Sequence, residues 1–489
     1  MAIQIQQKRF DRQLKGIENW KKAKDLGLSH SNGWGTLHWE TGTGKTFAAC
    51  TIANKMLEKN NAYSFIVVVP GEELEKQWKN EIKSFVKEEH HNNFRVLTVH
   101  KIIQSCANGK RFLCNLLIAD ELHEYYTEDR LNLFNSTYVV TNWCLGLTAT
   151  YEDNENRHKN IQKILPVVDR IDTEEALREG YVSKYIEYNV AVPFTDEEKS
   201  NYVVLSTIIA KNLGKFGKNK PLELASKVLS GDSKTGKTGK EIAYAYAYYN
   251  GWRKDLNINK PEELSIHEQW SPFKIIGYAK TVMDNVRERK DLIYKAINKI
   301  HYAKEVVLKF DTLKTICFSQ STQFADYLAT VINQHYNSNK EQIDNKVCVV
   351  YHSKLNTIIY LDEKGKEKKK GKTVLKREAI QAIKSGKARV ISTASSLDRG
   401  FDVKDISLAI TTSGTQNPTQ YSQRRGRAIR VEENKDIVLI VNLYLQGTIE
   451  ESWLRKRQAK SNNVIYWVNK VQDINYTPKK NDTFNLEEI

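Results

Sequence analysis

No stretch of this sequence approaches the roughly 18 consecutive apolar residues of a membrane-spanning helix, so no membrane span is expected. The N-terminal MAIQIQQKRFDRQ lacks the apolar stretch of a secretory signal. Cysteine is sparse. Cys50, Cys106, Cys114, Cys144, Cys317 and Cys348 are scattered, several within apolar runs, and none forms a CxxC pair. That usage points to reduced, partly buried thiols in a cytosolic compartment. The histidines show no metal-ligand spacing, His90-His91 included.

What is present is length and positive charge. A chain of 489 residues, 40% hydrophobic and 27% charged, has ample material for two to four cores without a disulfide or metal staple. Its 75 Lys+Arg against 59 Asp+Glu leave a net charge of +16, which favours a polyanionic partner.

Apolar runs alternate with helical patterns. SFIVVVP at 64–70, LLIAD at 116–120 and WCLGLTAT at 143–150 read as buried strands, separated by helices such as ELEKQWKNEIKSFVK. A second set comprises TICFS at 315–319, KVCVVY at 346–351, ARVIST at 388–393, SLAITT at 407–412 and DIVLIVNLY at 436–444. This alternation predicts two α/β domains with parallel sheets covered by helices. GYVSKYIEYNVAV at 180–192 reads as the second domain's first strand, which makes the Lys-, Tyr- and Glu-rich stretch at about 195–305 a helical insertion. The predicted division is 1–178, 179–460 and a polar tail, 461–489, that docks loosely. A basic segment at about 356–375 contains LDEKGKEKKKGKT, read as a solvated loop or as a β-hairpin tip that touches phosphates.

The strict phosphate-loop pattern GxxxxGK[ST] occurs once, as GDSKTGKT at 231–238. A phosphate loop needs a strand before it and a helix directly after it, so that loop amides and helix N-terminus converge on the anion. Here PLELASKVLS, a helical pattern, precedes the loop, and Gly239-Lys240 is expected to delay any helix after it. The match reads as a decoy. HWETGTGKTFAAC breaks the pattern with Trp39 yet has the context, GTLHW before and TFAACTIANKMLE after. Within Thr41-Gly42-Thr43-Gly44-Lys45-Thr46, the glycines admit close approach of phosphate oxygens. Lys45 can reach the β and γ phosphates of ATP, and Thr46 can hold Mg²⁺. LLIADELH then places Asp120 and Glu121 at a strand's C-terminal end, where open α/β sheets bind ligands. Asp120 suits Mg²⁺ and Glu121 suits deprotonation of the attacking water.

These residues, in this order, resemble the superfamily 2 helicases with a DExH box, whose fold is two tandem RecA-like domains. The resemblance runs over about 5–460 apart from the insertions. TGTGKT resembles motif I and DELH motif II. Gln13 in KRFDRQ resembles the adenine-reading glutamine. VVVPGEELEKQW, with Pro70 and Gln77, resembles motif Ia, which contacts nucleic acid. LTAT, with Thr148 and Thr150, resembles the motif that couples hydrolysis to movement, to which His123 would connect. ICFSQSTQFADYL with Ser319, YHS with His352, and STASSLDRGFDV with Thr393 resemble backbone-contacting elements of the second domain. Gly400 and Asp402 in the last of these imply nucleotide contacts. QYSQRRGRAIR at 420–430 resembles motif VI. Gln423 implies coupling, and Arg427 and Arg430 imply arginine fingers that stabilise charge on the transferring phosphoryl group. Arg424 or Arg425 reads as a basic face on DNA.

The resemblance implies an ATP- and Mg²⁺-dependent nucleic-acid motor. The QW of motif Ia and segments such as GTIEESWLRKRQ at 447–458 resemble the XPB-like and phage UvsW-like branch, which favours duplex or branched DNA. An RNA helicase of the same fold is the first alternative. A motor for a restriction or defence assembly is the second, with a partner supplying nuclease or targeting, since no nuclease constellation is visible. A nucleic-acid-binding scaffold without ATPase activity is the third, and intact Lys45, Asp120, Glu121 and Arg430 oppose it. Trp39 is bulky for its position and is expected to narrow the space behind the loop. Tyr151 follows LTAT where proline is frequent.

Overall fold

The computed structural model describes residues 2–152, 156–232, 235–249, 271–337, 347–361, 367–394, 406–414, 418–429, 437–459 and 464–476. Six strands form the first sheet: β1 (Trp34–Trp39), β2 (Phe65–Val69), β3 (Phe94–Thr98), β4 (Phe112–Asp120), β5 (Val139–Thr148) and β6 (Val167–Ile171). Their order is β3-β2-β4-β5-β1-β6, and every pairing is parallel. All five residues of β2, FIVVV, are buried, as a central parallel strand covered on both faces requires. The helices of this half include α1 (Ala2–Lys21), α2 (Lys45–Leu57) and α3 (Glu72–Phe85).

The second sheet contains β7 (Lys184–Val192), β8 (Thr315–Ser319) and β9 (Cys348–His352). A hairpin of β10 (Ile358–Leu361) and β11 (Glu367–Lys370) comes next in the chain, then β12 (Val390–Ala394), β13 (Leu408–Thr411), β14 (Ile437–Leu445) and β15 (Ile465–Val468). The sheet order is β15-β7-β14-β13-β8-β12-β9. The basic segment is therefore paired: β10 and β11 are antiparallel, with Ile358 opposite Lys370 and Ile359 opposite Lys369.

Three strands escape the sequence pattern: β3, β6 and β15. All lie at sheet edges, where one flank meets solvent and residues such as Arg95 and Arg170 are tolerated. Of the tail expected to dock loosely, the described part, 464–476, is corrected by β15, which pairs parallel with β7. Beyond it the Lys309 ammonium donates to the carbonyls of Val471, Gln472 and Ile474 at 3.1, 2.8 and 2.9 Å. The Tyr188 hydroxyl donates to Asn475 O at 2.9 Å.

By density of contacts the chain divides into two units. One comprises Met1–Ala191, Ala303–Tyr444 and Thr448–Ile489, and holds both sheets. The other comprises Val192–Tyr302 with Leu445–Gly447. Its helices, Asp196–Leu213, Pro221–Ser230, Gly239–Ala247 and Pro272–Lys295, enclose a core around Ile209, Phe216, Val228, Ile275 and Val282. The strict phosphate-loop match lies here and comes after a helix. One expectation fails: the helix Gly239–Ala247 starts directly after Thr238. The Thr238 hydroxyl is engaged in a capping box with Glu241, the same hydroxyl that a phosphate loop would use on a metal.

Trp39 is also corrected. Its side chain is fully buried, and its indole N–H donates to Asp169 Oδ2 at 2.6 Å. The ring lies over Gly16 of α1, where a Cβ would stand 2.3 Å from it. The bulk fills space between α1 and the sheet. Gly16→Ala is therefore expected to destabilise the protein despite the helix propensity gained. Overpacking costs about 1–3 kcal/mol, against about 1 kcal/mol regained from replacing glycine. A lower urea midpoint is the measurement; an unchanged or higher one contradicts this packing.

Candidate active site

The turn after β1 carries Gly42 at φ +90° and Gly44 at φ +94°, in the left-handed region. Gly44 also has no room for a side chain, since a Cβ would lie 2.2 Å from Gln13 Nε2. Gly44 caps α2 without any side-chain hydrogen bond. The first amides of the helix therefore face the loop as anion donors. Thr43 Oγ1 donates to Glu40 O at 2.7 Å, bracing the turn. The Lys45 ammonium donates to Trp39 O at 3.0 Å and Glu40 O at 3.4 Å, which holds it across the loop.

α1 closes the other side. Buried Gln13 donates to Thr43 O at 2.7 Å. Arg9, one turn earlier on the same face, donates to Gly42 O at 2.5 Å. Sequence reasoning named Gln13 and passed over Arg9, although the i, i+4 spacing within KRFDRQ was available. Arg12 fixes α1 to β6 through Asp169 at 2.9 Å and to the helix Thr173–Arg178 through Glu175 at 2.5 Å.

Asp120 ends β4 and is buried. The Trp78 indole donates to its Oδ2 at 2.7 Å, and the Glu121 amide donates to Oδ1 at 2.9 Å. Burial, then the neighbouring charge of Glu121, pushes the Asp120 carboxyl up to about 6. Glu121 adopts φ +52°, a conformation that costs a non-glycine residue about 1–3 kcal/mol. Both carboxylates line a cleft of about 340 Å³ with Lys45, Thr46, Gln77 and Phe85. Gln77, expected on nucleic acid, thus lies in this cleft, while Pro70 is half-buried just beyond β2. His123 Nδ1 stands 3.1 Å from Thr148 Oγ1 and 3.5 Å from Glu121 Oε2. Thr148 Oγ1 in turn donates to Thr150 O at 2.7 Å. A polar chain therefore runs from the cleft to the end of β5.

The helix Pro418–Ala428 meets the phosphate loop from the second sheet. A Cβ on Gly426 would fall 2.5 Å from Thr41 Cγ2, so only glycine allows this approach. Arg424 and Arg425, one or the other of which reads from sequence as a basic face on DNA, are both buried. Arg424 donates to Ser413 O at 3.0 Å and Ser319 O at 3.3 Å. Arg425 reaches the Glu40 carboxylate at 2.9 Å. Gln423 is buried on the same helix. The side chains of Ser319, His352 and Thr393, expected on the nucleic-acid backbone, are also buried. Ser319 donates to Ser321 O and Thr393 O at 2.9 and 3.1 Å, and His352 Nε2 is 2.9 Å from Asp326 Oδ1. Ser319 thus ties the end of β8 to β12, and His352 ties the end of β9 to the helix Thr322–Asn337. Gly400, Asp402, Arg430 and the side chain of Arg427 lie outside the described residues.

The family model for the type III restriction enzyme res subunit matches residues 6–153, and that for the helicase conserved C-terminal domain matches residues 298–432. Over 462 residues the chain is 25% identical to a DNA 3'-5' translocase, XPB2, of Sulfurisphaera tokodaii, covering 92% of this chain and 84% of that one. This chain belongs to the superfamily 2 helicases. This helicase is also 22% identical to a putative ATP-dependent RNA helicase of Methanocaldococcus jannaschii, over 88% of its own length and 59% of the relative's. Its fold matches S. cerevisiae Dbp5 bound to RNA and ADP BeF3 with a TM-score of 0.51 at 12% identity, covering 94% and 93% of the two chains. The fold class is thus two tandem RecA-like parallel-sheet domains. The helicase hydrolyses ATP and couples this to movement on nucleic acid. No helix among its described residues is long and apolar enough to cross a membrane.

Proposed function

We propose that this helicase is a DNA translocase acting on duplex or branched DNA, with its ATP site in the cleft between Lys45 and Glu121. The reading rests on one observation: a single cleft gathers the phosphate loop, Thr46, Asp120 and Glu121. The XPB2 relative, a named DNA translocase aligned over most of both chains, supports DNA over RNA. In this reading residues 1–178 hold ATP, and residues 179–460 supply the arginine helix and share the nucleic acid. Gln13 reads adenine, the loop amides and Lys45 hold phosphates, and Glu121 takes the proton of the attacking water. His123, Thr148, Thr150 and Gln423 transmit the state of the site.

Thr46 and Asp120 fit Mg²⁺, which favours oxygen ligands and is often held by one or two carboxylates with substrate phosphates. A cation there would also offset the cost of burying Asp120. When bound it supplies charge neutralisation on the phosphate oxygens.

ATP hydrolysis and strand displacement measured on forked, branched, duplex and RNA substrates test the reading. Duplex or branched DNA should stimulate most. Binding carried by 6–10 phosphate contacts should weaken by about 10³–10⁵ between 50 and 200 mM salt. Stronger stimulation by RNA overturns the DNA assignment. The match of residues 6–153 to a restriction subunit also supports a protein partner that supplies cleavage. The purified helicase should then leave DNA uncut, and cutting by the chain alone contradicts that partner.

A further inference from the structure

Glu40 stands between β1 and the loop threonine Thr41, and it is buried. One carboxylate oxygen accepts the Thr41 amide at 2.8 Å. The other accepts the Thr173 hydroxyl and, at 2.9 Å, the Arg425 guanidinium from the second sheet's helix. Arg425 is equally buried, donates to Thr173 Oγ1 at 3.1 Å and Tyr185 Oη at 3.2 Å, and lies over the Tyr185 and Tyr421 rings at 5.6 and 5.7 Å. The helix is tied at its other end as well. Tyr421, one turn before Arg425, donates to the Glu187 carboxylate at 2.6 Å. Glu187, fully buried in β7, also accepts from Asn442 at 2.6 Å and Gln458 at 2.7 Å.

The QxxGRxxR pattern does not specify residue 425, so the motif itself does not ask for arginine there. What stands there bridges the two sheets at the residue preceding the phosphate loop. Gly426, its neighbour, makes the close approach to Thr41. Successive helical residues are turned by a fixed angle and rise 1.5 Å. Holding Arg425 by its side chain and Gly426 by contact therefore fixes both the slide and the rotation of the helix that carries Arg427.

We propose that the buried Glu40–Arg425 pair is a positioning pair, which sets the arginine helix on the phosphate loop and is required for ATP turnover more than for ATP binding. The proposal rests on the ATP-site reading above. Removing one partner strands a buried charge, so the informative variant is the neutral double, Glu40→Gln with Arg425→Met. Glutamine keeps an acceptor for the Thr41 amide.

With nucleic acid saturating, kcat of the double variant should fall about 10- to 100-fold, the scale of small misplacements in an active site. Its affinity for a fluorescent ATP analogue should change less than about threefold, a range set by RT ln K below 1 kcal/mol. Wild-type kcat, or an affinity loss matching the kcat loss, overturns the proposal. Where circular dichroism shows the double to be unfolded, Arg425→Lys is the test. It keeps the charge and loses the guanidinium fork shared among Glu40, Thr173 and Tyr185. A reduced kcat with retained affinity supports the pair, and full activity overturns it. A parent protein without ATPase activity on any nucleic acid would instead overturn the site reading itself.

Discussion

Glu121→Gln will lower nucleic-acid-stimulated ATP turnover by about 10²–10⁴-fold, the range that a positioned general base contributes, while ATP still binds. The substitution is nearly isosteric and removes the capacity to accept a proton. Glu121 lies beside Lys45 and Thr46 in the cleft, at φ +52°. That conformation is retained at a cost, as is common where a site needs a side chain in one place. Asp120 differs in kind. Its oxygens are already bonded to the Trp78 indole and the Glu121 amide, which suits a fixed ligand rather than a proton shuttle. Phosphate release at saturating nucleic acid, paired with the affinity for a fluorescent ATP analogue, checks the prediction. Turnover at the parent rate would remove Glu121 from the role of base.

The substitution also bears on coupling. His123 is 3.5 Å from Glu121 Oε2 and 3.1 Å from Thr148 Oγ1. A neutral amide at position 121 weakens any attraction to a protonated imidazole but leaves the Thr148–Thr150 bond in place. Loss of hydrolysis with ATP-dependent nucleic-acid affinity retained is therefore expected.

What could be read from sequence was whatever a short local pattern encodes. Apolar runs of five to nine residues gave the central strands because both faces of those strands are covered. TICFS is β8 end to end. The edge strands β3, β6 and β15 were missed because an edge strand needs less apolar surface. The loop at 41–46 was legible from its strand–loop–helix context even though Trp39 breaks the strict pattern. The reason Trp39 is tolerated was not legible, because it depends on Gly16, 23 positions away in α1. Arg425 failed in the same way. An arginine in a basic run reads as a wet, DNA-facing charge. Its burial comes from Glu40, which only the fold brings within 2.9 Å. Ser319, His352 and Thr393 were expected to present side chains to phosphates, and they are buried instead, Ser319 bonded to Thr393 O and His352 to Asp326 of the helix Thr322–Asn337.

The arginine helix carries the other large effect. Arg427→Ala is expected to reduce turnover by about 10³–10⁵, the contribution of an arginine that stabilises the transferring phosphoryl group. Placement is the first reason. Gly426 lies against Thr41, so the helix Pro418–Ala428 rests on the loop that would hold the phosphates. Arg427 is the next residue along. Arg424 and Arg425 are already committed to Ser413, Ser319 and Glu40, so neither is available to a phosphate. That leaves Arg427, with Arg430 three positions later in the sequence, as the guanidinium groups of this motif. Arg427→Lys separates charge from geometry. An ammonium is a compact point charge without the planar fork that spans two oxygens, so turnover should remain well below the parent value. Single-turnover hydrolysis isolates the chemical step from nucleic-acid release. If Arg427→Ala hydrolyses ATP at the parent rate in that assay, Arg427 does not stabilise the transition-state charge. The close seating of Gly426 on Thr41 would then not serve to present Arg427 to the phosphates.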